Sequence, residues 1–218
     1  MNNEVILLGY YGGDESHSCS AWTSTSRELT EDKRKRIPTL LKMLAEQGHH
    51  TPFEKSYLHF LVTCDTASHI HFIKHRIGVS VNAESARYKE LKEDKYYIPD
   101  DWPDDVKKHF KMSMEDAYHN YHWTMKNLIN AGFSKKRAKE SARFLLPYAN
   151  QLTLDVGFNF RSFMHFQSLR NKPEAQLEIQ MLAREMLKLV RQTKAFDASL
   201  NGFGYPEVHV DLTGLTDK

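Results

Sequence analysis

The chain has 218 residues, 40% of them hydrophobic and 27% charged, with a formal net charge of +2. That length supports a hydrophobic core, the composition excludes a disordered chain, and the near-neutral balance gives no reason to expect a nucleic-acid polymer or a membrane surface as partner. Two distant cysteines, Cys19 and Cys64, form no CxxC pair, which argues for reduced thiols in a cytoplasmic protein rather than a disulfide framework or a thiolate metal site.

The first residues lack a basic segment followed by a long apolar run, so no signal peptide is expected, and no stretch approaches a membrane span. Val5 to Leu8 reads as a short buried strand ending at the loop Tyr10 to Asp14. Residues 16–26, rich in Ser and Thr, read as irregular. Ile37, Leu40, Leu41 and Leu44 lie on one helical face, with Pro38 in the first turn and Gly48 as the stop. Leu58, Phe60 and Val62 alternate as in a strand, and Asp65 or Thr66 can cap a helix running toward His75 until Gly78 interrupts it. Residues 79–88 and Tyr96 to Pro99 read as irregular or extended.

A long helix follows from Val106 to Leu128, ended by Gly132, then a shorter one capped by Ser134 that stops before Pro147. Leu152, Leu154, Val156 and Phe158 alternate as a strand. Phe163, Phe166 and Leu169 mark a short helix, and Pro173 opens a last long one through Val190. With no internal repeat or linker, the expectation is one α/β (α+β) domain over 1–218, a central mixed sheet flanked by long helices.

Phosphate-binding glycine signatures of the GxxxxGK[ST] and GxGxxG types are absent, as are HExxH and GxSxG. Cationic side chains cluster instead at Lys74-His75-Arg76, Arg87, Arg143, Arg161 and Arg170, where guanidinium forks suit phosphates. Taken singly, each such charge is more often a solvated surface group. His71 and His75 share a helical face at zinc-pair spacing, but without an acidic third ligand the packed or hydrogen-bonded reading of these histidines is preferred and no metal is expected.

Four blocks in order carry more information. They are His49-His50-Thr51-Pro52-Phe53-Glu54, Lys74-His75-Arg76 leading to Ser85-Ala86-Arg87-Tyr88, Ala142-Arg143-Phe144-Leu145-Leu146-Pro147, and Asn159-Phe160-Arg161-Ser162 with His165 and Arg170. Together they resemble the signature stretches of the flavin-dependent thymidylate synthases, across roughly residues 20–190. The resemblance implies methylation of dUMP to dTMP, with methylene-tetrahydrofolate as carbon donor, reduced FAD as hydride source and NADPH reducing the flavin. It implies that Thr51, Glu54, Lys74, His75, Arg76 and Ile77 contact FAD, with Asn159, Arg161 and His165 beside its isoalloxazine or adenine parts. It gives Glu84, Ser85, Ala86, Arg87, Arg143 and Arg170 to dUMP, with His71 as a further candidate. It also implies a homotetramer whose sites draw on several subunits.

Two departures from the family pattern stand out. Lys74 replaces the usual arginine, keeping the charge and losing the fork. The spacer before Ser85 is one residue longer, so that Ala83 or Glu84 takes the acidic position; only Glu84 can accept a hydrogen bond there. Neither cysteine has the setting of a nucleophile and Ser85 has no evident base, so Ser85 is assigned to substrate positioning, not covalent attack. Arg170 or Arg87 would stabilise charge developing on the pyrimidine carbonyls. The rival readings are a hydroxymethylase of dUMP or dCMP on the same scaffold, a non-catalytic flavin binder, and a zinc-binding histidine protein.

Overall fold

The computed structural model describes residues 2–85 and 93–205. In chain order its elements are β1 (Glu4–Tyr11), α1 (Asp14–Ala21), α2 (Glu31–Glu46), β2 (Tyr57–Asp65), α3 (Thr66–Ile73), β3 (Val79–Ala83), α4 (Asp104–Asn130), α5 (Lys135–Ala142), β4 (Gln151–Phe158), α6 (Phe160–Arg170), α7 (Leu177–Gln192) and α8 (Asp197–Gly202). Short 3-10 turns stand at Trp22–Ser24, Thr51–Glu54 and Arg143–Leu145.

The strands form one sheet in the order β1-β2-β4-β3. The sheet is not mixed, as the sequence suggested: all three pairings are antiparallel. The connections from β1 to β2 and from β3 to β4 return the chain to the end of the sheet it left, so Tyr11 at the end of β1 pairs with Tyr57 at the start of β2, and Ala83 at the end of β3 pairs with Leu154 near the start of β4. From β2 to β3 the chain crosses through α3 to the opposite end, since Asp65, ending β2, pairs with Gln151 whereas Val79, starting β3, pairs with Phe158; these two strands run parallel, but β4 separates them. A parallel neighbour would need a crossover back to the opposite end.

Alternation puts Leu58, Phe60, Val62 and Cys64 of β2, with Leu154, Val156 and Phe158 of β4, on one fully buried face. There they meet α6 and α7, through Phe160, Phe163, Phe166, Ile179, Ala183 and Met186. Phe60 stacks on Phe163 with centroids 5.7 Å apart. Each such ring contributes about 2–3 kcal/mol by leaving water. A second, smaller cluster of Tyr121, Met125, Ala138 and Ala142 joins α4 to α5. The other sheet face presents Ile6, Leu8 and Tyr57 outward.

Several local expectations are corrected. Residues 14–21 form a helix, although the Ser-rich stretch suggested irregular chain. Its buried residues, His17 and Ser18, are polar, so no apolar periodicity marks it. The second helix starts at Glu31, capped by Thr30, and holds Pro38 in its interior rather than its first turn. Its opening turns are charged and exposed. Residues 79–83 take the extended of the two readings, as the strand β3, whereas α7 begins at Leu177, with Pro173 in the preceding turn rather than opening the helix. Asp65 and Ser134 cap α3 and α5 as expected, each accepting a backbone N–H.

Candidate functional site

Three separated stretches meet where β2 begins and β4 ends. The 3-10 turn Thr51–Glu54 leads into β2 and buries Phe53 beneath it. The loop after α3 carries Lys74, His75, Arg76 and Ile77 to the start of β3. Asn159 follows β4 and caps α6, its Oδ1 accepting the Ser162 N–H at 2.8 Å. The loop and the helix are fastened to each other. Asn159 N–H donates to the Gly78 carbonyl at 2.9 Å, and the Ser162 hydroxyl donates to the Ile77 carbonyl at 2.7 Å. Gly78 has φ +65°, and a β-carbon on it would run into the side chains of Asn159 and Ser162. Glycine is needed here for both conformation and approach.

Around this junction polar and apolar groups alternate at the surface. The Arg161 guanidinium donates to Glu54, tying α6 to the Thr51 turn. Ile77 is 88% exposed, and Lys74, Arg76, Arg161 and His165 are exposed beside a buried row of Ser162, Phe163 and Met164. Exposed cations next to the N-terminus of α6 suit an anionic group. An exposed isoleucine between them suits a flat apolar ring. This donor set fits a cofactor having both a pyrophosphate and an aromatic ring system, as FAD does.

His75 is buried, and its Nε2 accepts the Arg170 Nε–H at 3.2 Å. Its ring meets His165 edge-on at 5.9 Å and Phe166 at 5.1 Å. Burial, then the charges of Arg170, His165 and His71, lower its pKa to about 4, so it is a neutral imidazole at pH 7. His71 hydrogen-bonds Gln176 through Nε2 at 3.2 Å, while its Nδ1 is buried without a partner. The two Nε2 atoms that zinc spacing would offer thus face Gln176 and Arg170.

Of the remaining predicted residues, Glu84 and Arg143 sit at the other end of the sheet. Glu84 follows β3, and its Oε2 accepts the Thr153 N–H at 3.0 Å while its own N–H donates to the Thr153 carbonyl at 2.9 Å. Ala83 lies within β3, paired with Leu154. Ser85 follows Glu84, and Ala86 and Arg87 lie outside the described residues. Arg143, exposed, opens the 3-10 turn whose following residues run back to the start of β4: Tyr148 and Asn150 accept from Ala67 and Thr66. From Thr153 to Asn159 is six residues of extended chain, about 20 Å. Within one chain the Glu84–Arg143 end and the Glu54–Arg161 end are therefore well apart, with the Arg170–His75 pair reached from the second.

Two polar features escaped the sequence reading. His59 and Asp155 pair across β2 and β4 at 2.6 Å on the outward sheet face, a diagonal contact that follows only from register. Beneath the Thr51 turn, fully buried His17 bridges Ser56 (2.8 Å) and Ser199 (2.9 Å). Asp14 accepts the Ser199 hydroxyl at 2.6 Å and two backbone N–H groups of α8. Since Asp14 only accepts, Ser199 must donate to it, His17 must donate from Nδ1, and Ser56 must donate to Nε2. Buried histidine in a Ser-rich helix gives no sequence signal that separates it from a surface one.

Comparison with known proteins shows the family and the fold. Residues 7–194 match the family model described as thymidylate synthase complementing protein. A flavin-dependent thymidylate synthase of Pseudothermotoga lettingae is 34% identical over 187 residues, covering 82% of this chain and 80% of that one. The flavin-dependent thymidylate synthase of Thermosipho africanus is 33% identical over 202 residues, covering 85% of each. Among solved structures, the UMP/dUMP methylase PolB from Streptomyces cacaoi, bound with 5-Br dUMP, superposes with a TM-score of 0.77 at 26% identity, over 94% of this chain and 96% of that one. The chain belongs to the thymidylate synthase complementing protein family, the flavin-dependent thymidylate synthases.

Proposed function

We propose that this chain, acting as one domain over residues 1–218, is a cytoplasmic homotetramer that methylates C5 of dUMP, with methylene-tetrahydrofolate, FAD and NADPH. One observation carries the reading most: Thr51–Glu54, Lys74–Ile77 and Asn159–Arg161, far apart in sequence, converge at the N-terminus of α6. No described helix is long and apolar enough to cross a membrane.

In this reading Arg161, held by Glu54, and Arg76 receive the anionic part of FAD, Ile77 packs on its ring system, and Thr51, Lys74, Asn159 and His165 line the remainder. Bound there, reduced FAD supplies the two electrons that take a transferred one-carbon unit from the methylene to the methyl level, leaving the folate as tetrahydrofolate. Arg143 and Arg87 hold the dUMP phosphate, where paired N–H donors match its oxygens. Glu84, clasped to Thr153, fixes the backbone that leads into Ser85 and Ala86, and His71, beside the Arg170–His75 pair, is a further polar contact for dUMP. Arg170 faces the pyrimidine carbonyls and offsets negative charge there. Ser85 positions the substrate: a Ser85→Ala variant is expected to keep appreciable turnover. Because Glu84 and Arg143 lie at the opposite end of β4 from Arg161 and Arg170, a complete site needs the FAD end of one subunit against the Arg143 end of another.

The name of PolB, a UMP/dUMP methylase, favours a second reading in which the ribonucleotide is also accepted. An anaerobic assay tests both. With dUMP or UMP, methylene-tetrahydrofolate, NADPH and FAD, each omitted in turn, product is read by mass. A 14 Da gain on dUMP (one CH2 unit, about the mass expected for methylation) that disappears without FAD supports the reading. A hydroxymethylated or unchanged nucleotide overturns the reaction named.

A further inference from the structure

Arg170 ends α6, half-buried, and commits its Nε–H to the Nε2 of His75. A guanidinium has five N–H donors in a planar fork. Fixing Nε sets the plane of that fork and leaves the end edge formed by its two Nη groups turned away from His75. An unanchored arginine would lose roughly 2 kcal/mol of rotamer freedom on binding a ligand, and the anchor removes much of that loss beforehand.

We propose that His75 is a positioning residue whose neutral imidazole holds Arg170 by Nε, so that its Nη pair is aimed at the uracil ring of dUMP. The proposal rests on the substrate reading above and goes beyond it, since the family resemblance gives His75 to FAD. The geometry assigns its Nε2 to Arg170 instead. The surroundings favour an acceptor at this spot. Phe72 and Phe166 stack 5.1 Å apart beside the pair and Phe166 packs edge-on to His75, keeping water from Nε2. The charged and titratable groups facing His75 are Arg170 and His165 from α6 and His71 from α3, with Lys74 and Arg76 on its own segment. Every charged one is a cation. A protonated His75 would add another and could only donate, so it would push Arg170 away rather than hold it.

The test compares His75→Leu, which removes the acceptor, with His75→Gln, which keeps an acceptor oxygen and cannot titrate. FAD content and dUMP affinity are measured on the FAD-loaded protein, alone and in an Arg170→Ala background. The expected result is that His75→Leu weakens dUMP binding about tenfold, in line with loss of one charge-assisted hydrogen bond. FAD content should hold, and His75→Gln should recover dUMP affinity to within about threefold. In the Arg170→Ala background the leucine substitution should cost nothing more. Equal losses with and without Arg170, or loss of FAD with dUMP affinity intact, overturn the proposal. A wild-type protein that binds FAD but no dUMP removes the substrate reading as well, whereas absent coupling in a dUMP-binding wild type removes this proposal alone. Should the leucine variant fail to fold, 15N-histidine spectra of the wild type decide: His75 should carry a bare Nε2 whose resonance moves in Arg170→Ala, and a protonated Nε2 at pH 7 sinks the idea.

Discussion

Single side chains set how closely the two walls of the candidate flavin site approach. Gly78 is the clearest case, since its positive φ lets the loop pass under Asn159 and Ser162. Gly78→Ala is expected to destabilise the protein by about 1–3 kcal/mol from left-handed strain and displaced neighbours. It should also lower FAD content, because the displaced groups are those that fasten Ile77. Thermal melts and flavin absorbance on the same preparation check both; an alanine variant with normal flavin loading contradicts the placement. Arg161 makes a different point. Its ion pair with Glu54 is half-exposed, so its worth to folding is under about 1 kcal/mol. Glu54→Gln should therefore leave the melting temperature nearly unchanged while weakening FAD binding several-fold, read by fluorescence titration.

The helices and strands show which features can be read from sequence and which cannot. β2 and β4 were legible because Leu58, Phe60, Val62, Leu154 and Val156 alternate on a buried face, and α7 because its apolar residues repeat at helical spacing. Such alternation fits antiparallel strands with one exposed face, but which strands pair depends on contacts between distant segments that no local pattern gives. The motif residues were found through resemblance, their positions in space were not: nothing local to Glu54 announces Arg161. Helix α1 stayed hidden because its inward face is polar, and that face has a measurable consequence. His17 is buried and neutral, with its pKa lowered by burial to about 4 against 6.5 in the unfolded chain. Between those values the unfolded state binds more protons, so stability rises with pH across that window and is lost as pH falls from 6.5 toward 4. The shift corresponds to roughly 3 kcal/mol. Burial raises the pKa of Asp14, which acts in the opposite sense near the lower end. His75 adds to the acid loss in the same window. His17→Gln, which keeps both hydrogen-bonding capacities, should flatten the dependence of the urea midpoint on pH between about 4 and 6.5. An unchanged slope would mean that His17 does not titrate on unfolding in the way its burial requires.

At the scale of the molecule, the separation of the two ends of β4 is the feature with the largest functional consequence. Arg161 stands beyond its C-terminal end, and Arg143 precedes its N-terminal end. If each site joined both residues within one chain, a subunit lacking either would be inactive in any company. If the site is shared between subunits, damage can be sorted. Arg161→Ala and Arg143→Ala homomers should each be inactive in dTMP formation. Co-expressed under two tags and purified as heteromers, they contain some sites built from the intact Arg161 of one chain and the intact Arg143 of another. Random assembly makes roughly one site in four complete, because each half is intact with probability about one half. Activity near a quarter of wild type, with each homomer silent, is the expected outcome. Recovery no greater than the homomers' own background would place both residues of each site in a single chain. The about 20 Å of β4 between Thr153 and Asn159 would then have to be bridged by the bound ligands or by a rearrangement of the chain.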